Sequence, residues 1–261
     1  MMQKSAPQHH TINGHSVTGI QTGQGSDLVI LHSLLTDARA FDHVLPELAK
    51  HHRVTLLNLP GFHGSTPIEA SWSAYNTWIA DAVTAFGVHD GFTLLGNGFG
   101  GSLALGYALA YPETLSKLVI CDAAAGFPEQ GKQAFRVMAE KVATGGLGAI
   151  AEIAANRVFH PAYLAAHPTA IEERREALML IHPDAFQAAC SLLVEADLIP
   201  QCRGLKLLTL VICGELDAAT PPVLNRAIAE AIPHARYIEL PQIGHCPPLE
   251  APQAFLDAFN S

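Results

Sequence analysis

The chain is poor in basic side chains, with 15 Lys and Arg against 24 Asp and Glu in 261 residues, a formal net charge of −9. A surface of that sign repels polyanions, which argues against nucleic acid and anionic membrane faces as partners and leaves a small molecule as the expected one. Long hydrophobic runs are also missing, and no uninterrupted apolar stretch reaches the length of a membrane span. The opening MMQKSAPQHHTINGH lacks the apolar core of a secretory signal. The five cysteines, Cys121, Cys190, Cys202, Cys213 and Cys246, are odd in number and show no C-x-x-C spacing. Most sit in apolar runs, and the pattern fits buried thiols in a reducing, cytoplasmic compartment. Neither a metal nor an organic cofactor is expected. Repeats and low-complexity tracts are absent, the length suits one sizeable core, and the oligomeric state stays open.

What is present is an alternation. Short apolar runs, DLVILHS, RVTLLNL, GFTLLGN and LSKLVICD, are separated by segments with helical spacing, and two more, LKLLTLVICGE and ARYIELP, follow much later. Continuous apolar strands alternating with helices imply a mostly parallel sheet covered on both faces. Ahead of them, TINGHSVTGIQTG predicts an antiparallel hairpin turned at Asn13-Gly14. Residues 124–201 break the rhythm with helical stretches and no clear strand. They are expected to form a helical cap over the sheet's C-terminal edge, with 1–123 and 202–261 as the core.

The chemistry-bearing stretch is TLLGNGFGGSLALGYALAYPE, residues 93–113. It reads as strand, sharp turn and helix, the geometry of the nucleophile-elbow motif G-x-S-x-G, in which a serine stands at the tip of the turn. Here the motif reads G-N-G-F-G, and the tip residue is Gly98. Two further signals follow in order: Asp217 just past an apolar strand in ICGELDAATPP, and His245 in a loop before the last helix in LPQIGHCPPLEAP. A carboxylate that fixes an imidazole, and an imidazole that moves a proton, are the two other members of such a constellation. The main-chain N–H groups of Leu34, in LHSLLTD, and Phe99, next to the tip, are candidate oxyanion donors, and neither depends on the side chain at position 98.

The order of nucleophile position, Asp and His resembles that of the α/β-hydrolase superfamily over essentially the whole chain. Within it the chain resembles the 3-oxoadipate enol-lactonases, through LHSLLTDARAFD, RVFHPAYLAAHP, HPDAFQAACSLLVEADL and the closing GELDAATPP…IPHARYIELPQIGH. The resemblance implies the α/β-hydrolase fold, with a mostly parallel sheet of about eight strands, helices on both faces and a helical lid. It also implies hydrolysis of an ester, an enol lactone or a carbon–carbon bond in a small carbonyl substrate. Three positions depart from the family pattern: Gly98 replaces the serine, NLPGFHGST replaces an acidic D-x-R-G-x-G-x-S, and Val158 stands where a tryptophan is usual.

Gly98 relieves the strain of a left-handed turn tip while deleting the hydroxyl. A laboratory substitution and a natural non-nucleophilic chain both fit. Without the serine, turnover is expected only from water held by His245 where Oγ would lie. A ligand-binding pseudoenzyme and a lyase or isomerase with an Asp–His base are the alternatives. GNGFGG also satisfies a glycine-rich dinucleotide loop, but it lies mid-chain rather than on the first strand. Asp122 is the alternative carboxylate, and Ser102 is expected to face back along its helix. His32 and His63 lie in loops at the same edge; His32 is carried as a substrate-binding candidate beside a structural role. In the lid, Arg157 leads from an apolar run into His160-Pro161 and is the candidate clamp for a substrate carboxylate. Arg174 and Arg175 follow Glu172 and Glu173 and are expected on a solvated, salt-bridged face.

Overall fold

A computed structural model describes residues 7–261. The first six residues, part of the stretch whose composition argues against a signal, lie outside the described residues. Eight strands form one sheet: β1 (Gln8–Ile12), β2 (His15–Thr22), β3 (Ser26–Leu31), β4 (His52–Asn58), β5 (Phe92–Asn97), β6 (Leu115–Cys121), β7 (Thr209–Gly214) and β8 (Arg236–Leu240). Their order is β1-β2-β4-β3-β5-β6-β7-β8. The pairs β1–β2 and β2–β4 are antiparallel, and every pair from β4–β3 onward is parallel. The hairpin turn falls on Asn13 and Gly14, both at positive φ, which matches the twist of the two strands it joins.

The helices are α1 (Leu45–Leu48), α2 (Trp72–Ala85), α3 (Phe99–Ala110), α4 (Glu129–Gly145), α5 (Ala151–Val158), α6 (Pro161–Ala166), α7 (Ala170–Leu178), α8 (Pro183–Glu195), α9 (Ile199–Cys202), α10 (Pro222–Ala231), α11 (Pro247–Glu250) and α12 (Pro252–Phe259). The central strands are apolar without alternation because helices cover both faces; Leu28 to Leu31 and the run Leu118 to Cys121 are fully buried. Helix α3 is buried around most of its circumference, so its stability comes from packing rather than from a polar outer face. No described helix is long and apolar enough to cross a membrane.

Between β6 and β7 the chain forms α4 to α9 and contributes no strand to the sheet. This is the helical lid insertion of an α/β-hydrolase fold. The expected division at 201/202 falls inside α9. The lid is tied to loops at the sheet's C-terminal edge through main-chain bonds: His182 N–H donates to Gly61 O (2.8 Å) and His245 N–H to Val158 O (2.9 Å).

Candidate active site

Strand β5 ends at Asn97 and α3 begins at Phe99, so one residue makes the turn. Gly98 takes φ 57° and ψ −119°, a conformation that costs a residue with a side chain about 1–3 kcal/mol. Its neighbours are glycine for a different reason. A Cβ on Gly96 would collide with the Gly100 carbonyl, and one on Gly100 with the Leu31 carbonyl.

Asp217 follows β7 in a turn that fills both its oxygens. Oδ1 accepts from the N–H groups of Ala219 (2.7 Å) and Thr220 (2.9 Å), and Oδ2 from the Thr220 hydroxyl (2.7 Å). Oδ2 also lies 2.9 Å from His245 Nδ1. Burial by itself would raise the Asp217 pKa, but the charge and hydrogen bond of His245 and the bonds from Thr220 outweigh it and hold the carboxyl below its ordinary value. Nδ1 thus carries the proton and Nε2 is the acceptor, an assignment that follows from the hydrogen-bond network.

Asp122 plays a different part. Burial, then the neighbouring charge of Asp217, push its pKa well above the carboxylate range, and it accepts the Gly214 N–H at 2.7 Å. It lies beside Asp217, the carboxylate to which the imidazole bonds. Asp122, Cys213 and Asp217 bring possible ligand atoms within 4.8 Å of one another. Asp217 is already saturated by donors and burial pushes the Cys213 thiol up, so this set does not fit a cation.

Three positioning residues escaped the sequence reading. Asn97 donates from its side-chain amide to the carbonyls of His245 (3.0 Å) and Cys121 (3.2 Å). Glu250 accepts the N–H groups flanking the histidine, from Gly244 (3.1 Å) and Cys246 (3.2 Å). Thr220 also places its hydroxyl 3.3 Å from His245 Nδ1. Each acts across a long sequence separation or through a main-chain atom, so no motif signals it.

A fourth residue missed by motif is Ser33. Its Oγ lies 3.3 Å from His245 Nε2, and the side chain is buried at 2% exposure. A Cβ built on Gly98 would collide with Ser33 Oγ, and would approach Ser33 Cβ to 2.7 Å and His245 Nε2 to 2.8 Å. The place a side chain at position 98 would take is thus filled by the Ser33 side chain. Ser102, by contrast, donates to the Ala124 carbonyl at 2.8 Å and does not bond the histidine.

Ser33, Leu34, Gly98, Phe99, Arg157 and His245 share the wall of one narrow cavity under the lid, with about 30 Å³ open to a water-sized occupant. Among the described residues, neither the Leu34 nor the Phe99 N–H has a hydrogen-bond acceptor outside regular secondary structure; Phe99 opens α3, where the first N–H groups have no intrahelical partner. Arg157 reaches the cavity from α5. Its Nη2 donates to the Ala219 carbonyl (3.3 Å), its Nε is buried without a partner, and its guanidinium lies over the Phe135 ring at 5.8 Å. Burial lowers its pKa against the opposing pull of Asp217.

The geometry around His32 does not support a substrate contact. The ring is fully buried, Nδ1 donates to the Ser33 carbonyl (2.9 Å) and Nε2 accepts the Leu59 N–H (3.1 Å), so both nitrogens hold the loop after β3. His63 Nε2 lies 3.2 Å from Asp37, away from the dyad. Arg174 departs from its expected solvated face. Helical spacing puts it on the inward stripe of α7 with Ala170, Ala177 and Leu178. It is 5% exposed, lies over the Phe159 ring at 5.9 Å, and has no ion-pair partner among the described residues. Arg175 does pair with Glu172, at 3.1 Å.

The chain is similar to several known proteins. A pimeloyl-acyl-carrier-protein methyl ester esterase of Aeromonas hydrophila is 29% identical over 255 residues, covering 94% of this chain and 98% of its own length. The 3-oxoadipate enol-lactonase 2 of Acinetobacter baylyi is 30% identical over 169 residues, covering 65% of this chain and 62% of its own length. The solved structure of a thermophilic esterase from Thermogutta terrifontis, with malate bound, superposes with a TM-score of 0.88 at 28% identity, over 98% of this chain and 97% of that one. The alpha/beta hydrolase family model matches residues 28–258, and this chain, related to esterase and enol-lactonase members, belongs to that family.

Proposed function

We propose that the protein hydrolyses a small ester or enol lactone that bears a free carboxylate, at the cavity between the turn tip and the lid. The observation that carries this reading is the Asp217–His245 pair at 2.9 Å, with Nε2 turned toward that cavity. His245 moves the proton, Asp217 fixes the imidazole, and the Leu34 and Phe99 N–H groups face the carbonyl oxygen as charge develops on it. Arg157 supports the carboxylate, because a half-buried guanidinium with an unpartnered Nε seeks an anion. A lactone derived from a dicarboxylic acid keeps one such group, and the Thermogutta esterase carries malate, itself a dicarboxylate. The cavity holds roughly two waters as it stands, so a substrate enters with lid side chains such as Phe135 and Leu193 displaced.

A second reading, a binding protein without turnover, is favoured by Gly98 alone. Hydrolysis of a panel of carboxylated lactones and their methyl esters, with calorimetric titration of non-hydrolysable analogues, separates the two. The native chain is expected to turn over the acids and to bind them more tightly than the esters. Arg157→Gln should lose that preference by tenfold to a hundredfold, the equivalent of a charged hydrogen bond of roughly 1.5–3 kcal/mol. Tight binding with no turnover establishes the binding protein, and equal affinity for acid and ester removes the clamp.

A further inference from the structure

We propose that Ser33, on the loop after β3, is the nucleophile of this protein, taking from a different strand the place that Gly98 leaves without a side chain. The inference rests on the hydrolytic reading above.

Ser33 Oγ stands 3.3 Å from His245 Nε2, the one imidazole nitrogen free to take a proton, while Nδ1 is held by Asp217 at 2.9 Å. Catalytic hydrogen bonds of this kind are often long before a substrate is bound. The position coincides with the elbow side chain, since a Cβ at residue 98 would overlap Ser33 Oγ and come within 2.8 Å of Nε2. The donors also suit a relocated serine. In an elbow the oxyanion is held by the N–H after the nucleophile and by one from the β3 loop. For Ser33 the residue after the nucleophile is Leu34, itself on the β3 loop, and Phe99 supplies the second donor. The loop is rigid on the other side, because the Ser33 carbonyl is held by His32 Nδ1 at 2.9 Å and the Gly100 N–H donates to the His32 carbonyl at 3.1 Å.

The chemistry balances without a co-reactant beyond water. The Ser33 hydroxyl proton passes to His245 Nε2 as Oγ bonds to the carbonyl carbon, and the carbonyl π pair moves to oxygen. The pair returns, the bond to the leaving alkoxide or enolate breaks, and the leaving oxygen takes the proton from Nε2. Water then gives a proton to Nε2 while its oxygen attacks the acyl carbon. The bond to Ser33 Oγ breaks, Oγ recovers the proton, and the acid is released.

The test is covalent labelling with an activated alkyl phosphonate, followed by peptide mapping, on the native chain, Ser33→Ala and His245→Ala, alongside ester and lactone hydrolysis. Circular dichroism melts establish that each variant is folded. The expected result is one adduct, on Ser33, absent from Ser33→Ala and formed more slowly in His245→Ala by on the order of 10²-fold or more, the usual contribution of a general base. Ser33→Cys adds a readout independent of ester choice, since the thiol beside His245 should be alkylated by iodoacetamide faster than any native cysteine. An adduct at another residue, no adduct at all, or undiminished hydrolysis by folded Ser33→Ala overturns the proposal. In that last case the hydrolytic reading survives without this nucleophile. An adduct on Ser33 with every ester and lactone refused leaves the nucleophile and removes the substrate class.

Discussion

Asn97 donates its side-chain amide to the main-chain carbonyl of His245 at 3.0 Å, so the residue preceding the turn tip fixes the loop that carries the imidazole. The same amide reaches the Cys121 carbonyl at 3.2 Å. Strands β5 and β6 are thereby joined to the histidine loop, which follows β8 at the far edge of the sheet.

Asn97→Ala leaves the buried His245 carbonyl short of a donor, while the Cys121 carbonyl keeps the Gly98 N–H, and should cost about 1–3 kcal/mol of stability. If the amide positions His245, turnover should fall in kcat more than in KM. Urea melts and steady-state kinetics check both, and an unchanged kcat in a destabilised variant would reduce Asn97 to a structural role.

The turn tip predicts an unequal pair of variants. Gly98→Ser places a Cβ against Ser33 and in a backbone conformation that a side chain resists, with an expected loss on the order of 1–3 kcal/mol. Gly98→Ser combined with Ser33→Gly removes the collision with Ser33 and presents a serine to His245. The double variant should hydrolyse esters faster than Gly98→Ser alone and melt at a higher temperature. Equal rates and equal melting temperatures would show that Ser33 yields without cost.

His32 makes stability depend on acid. Burial lowers its pKa from 6.5 to about 4, so the unfolded chain takes up a proton below pH 6.5 that the native chain refuses until about pH 4. The contribution is complete above pH 6.5 and is lost as pH falls from 6.5 to 4, amounting to about 3 kcal/mol. His32→Gln should be less stable than the native chain at pH 7 and should lack this loss. Denaturant melts at pH 7, 6 and 5 measure the difference.

Asp122 acts with the opposite sign. Burial and the charge of Asp217 raise its pKa in the fold, so above about pH 4 the unfolded group ionises while the native one keeps its proton. Stability is lost as pH rises, until the native carboxyl ionises too. Asp122→Asn keeps the acceptor for the Gly214 N–H without the ionisation, and should gain stability over the native chain as pH rises from 5 to 8. The same denaturant series decides it: a constant difference between variant and native chain across that range would mean that Asp122 is not held neutral.

Sequence by itself determined the architecture. The apolar runs from DLVILHS to ARYIELP are strands because residues buried on both faces need no alternation, and the paired turn residues Asn13 and Gly14 fix the hairpin. It also determined the tight turn between β5 and α3, since glycines at 96, 98 and 100 answer local backbone constraints. Asp217 and His245 could be singled out because each lies in a loop that follows a strand, at the edge where chemistry gathers.

Tertiary structure decided the rest. Arg174 follows two glutamates and reads as surface, yet the packing of α7 against α5 turns its stripe inward. His32 reads as a ligand contact until both its nitrogens are seen to hold main-chain groups. Ser33 is a neighbour of His32 in an ordinary loop, with nothing in LHSLLTD to connect it to a histidine 212 positions away. Local patterning encodes what a segment becomes, because periodicity and turn preference act over a few residues. The donor that meets Nε2 depends on how two loops from different strands meet in space, and that relation exists only in the folded chain.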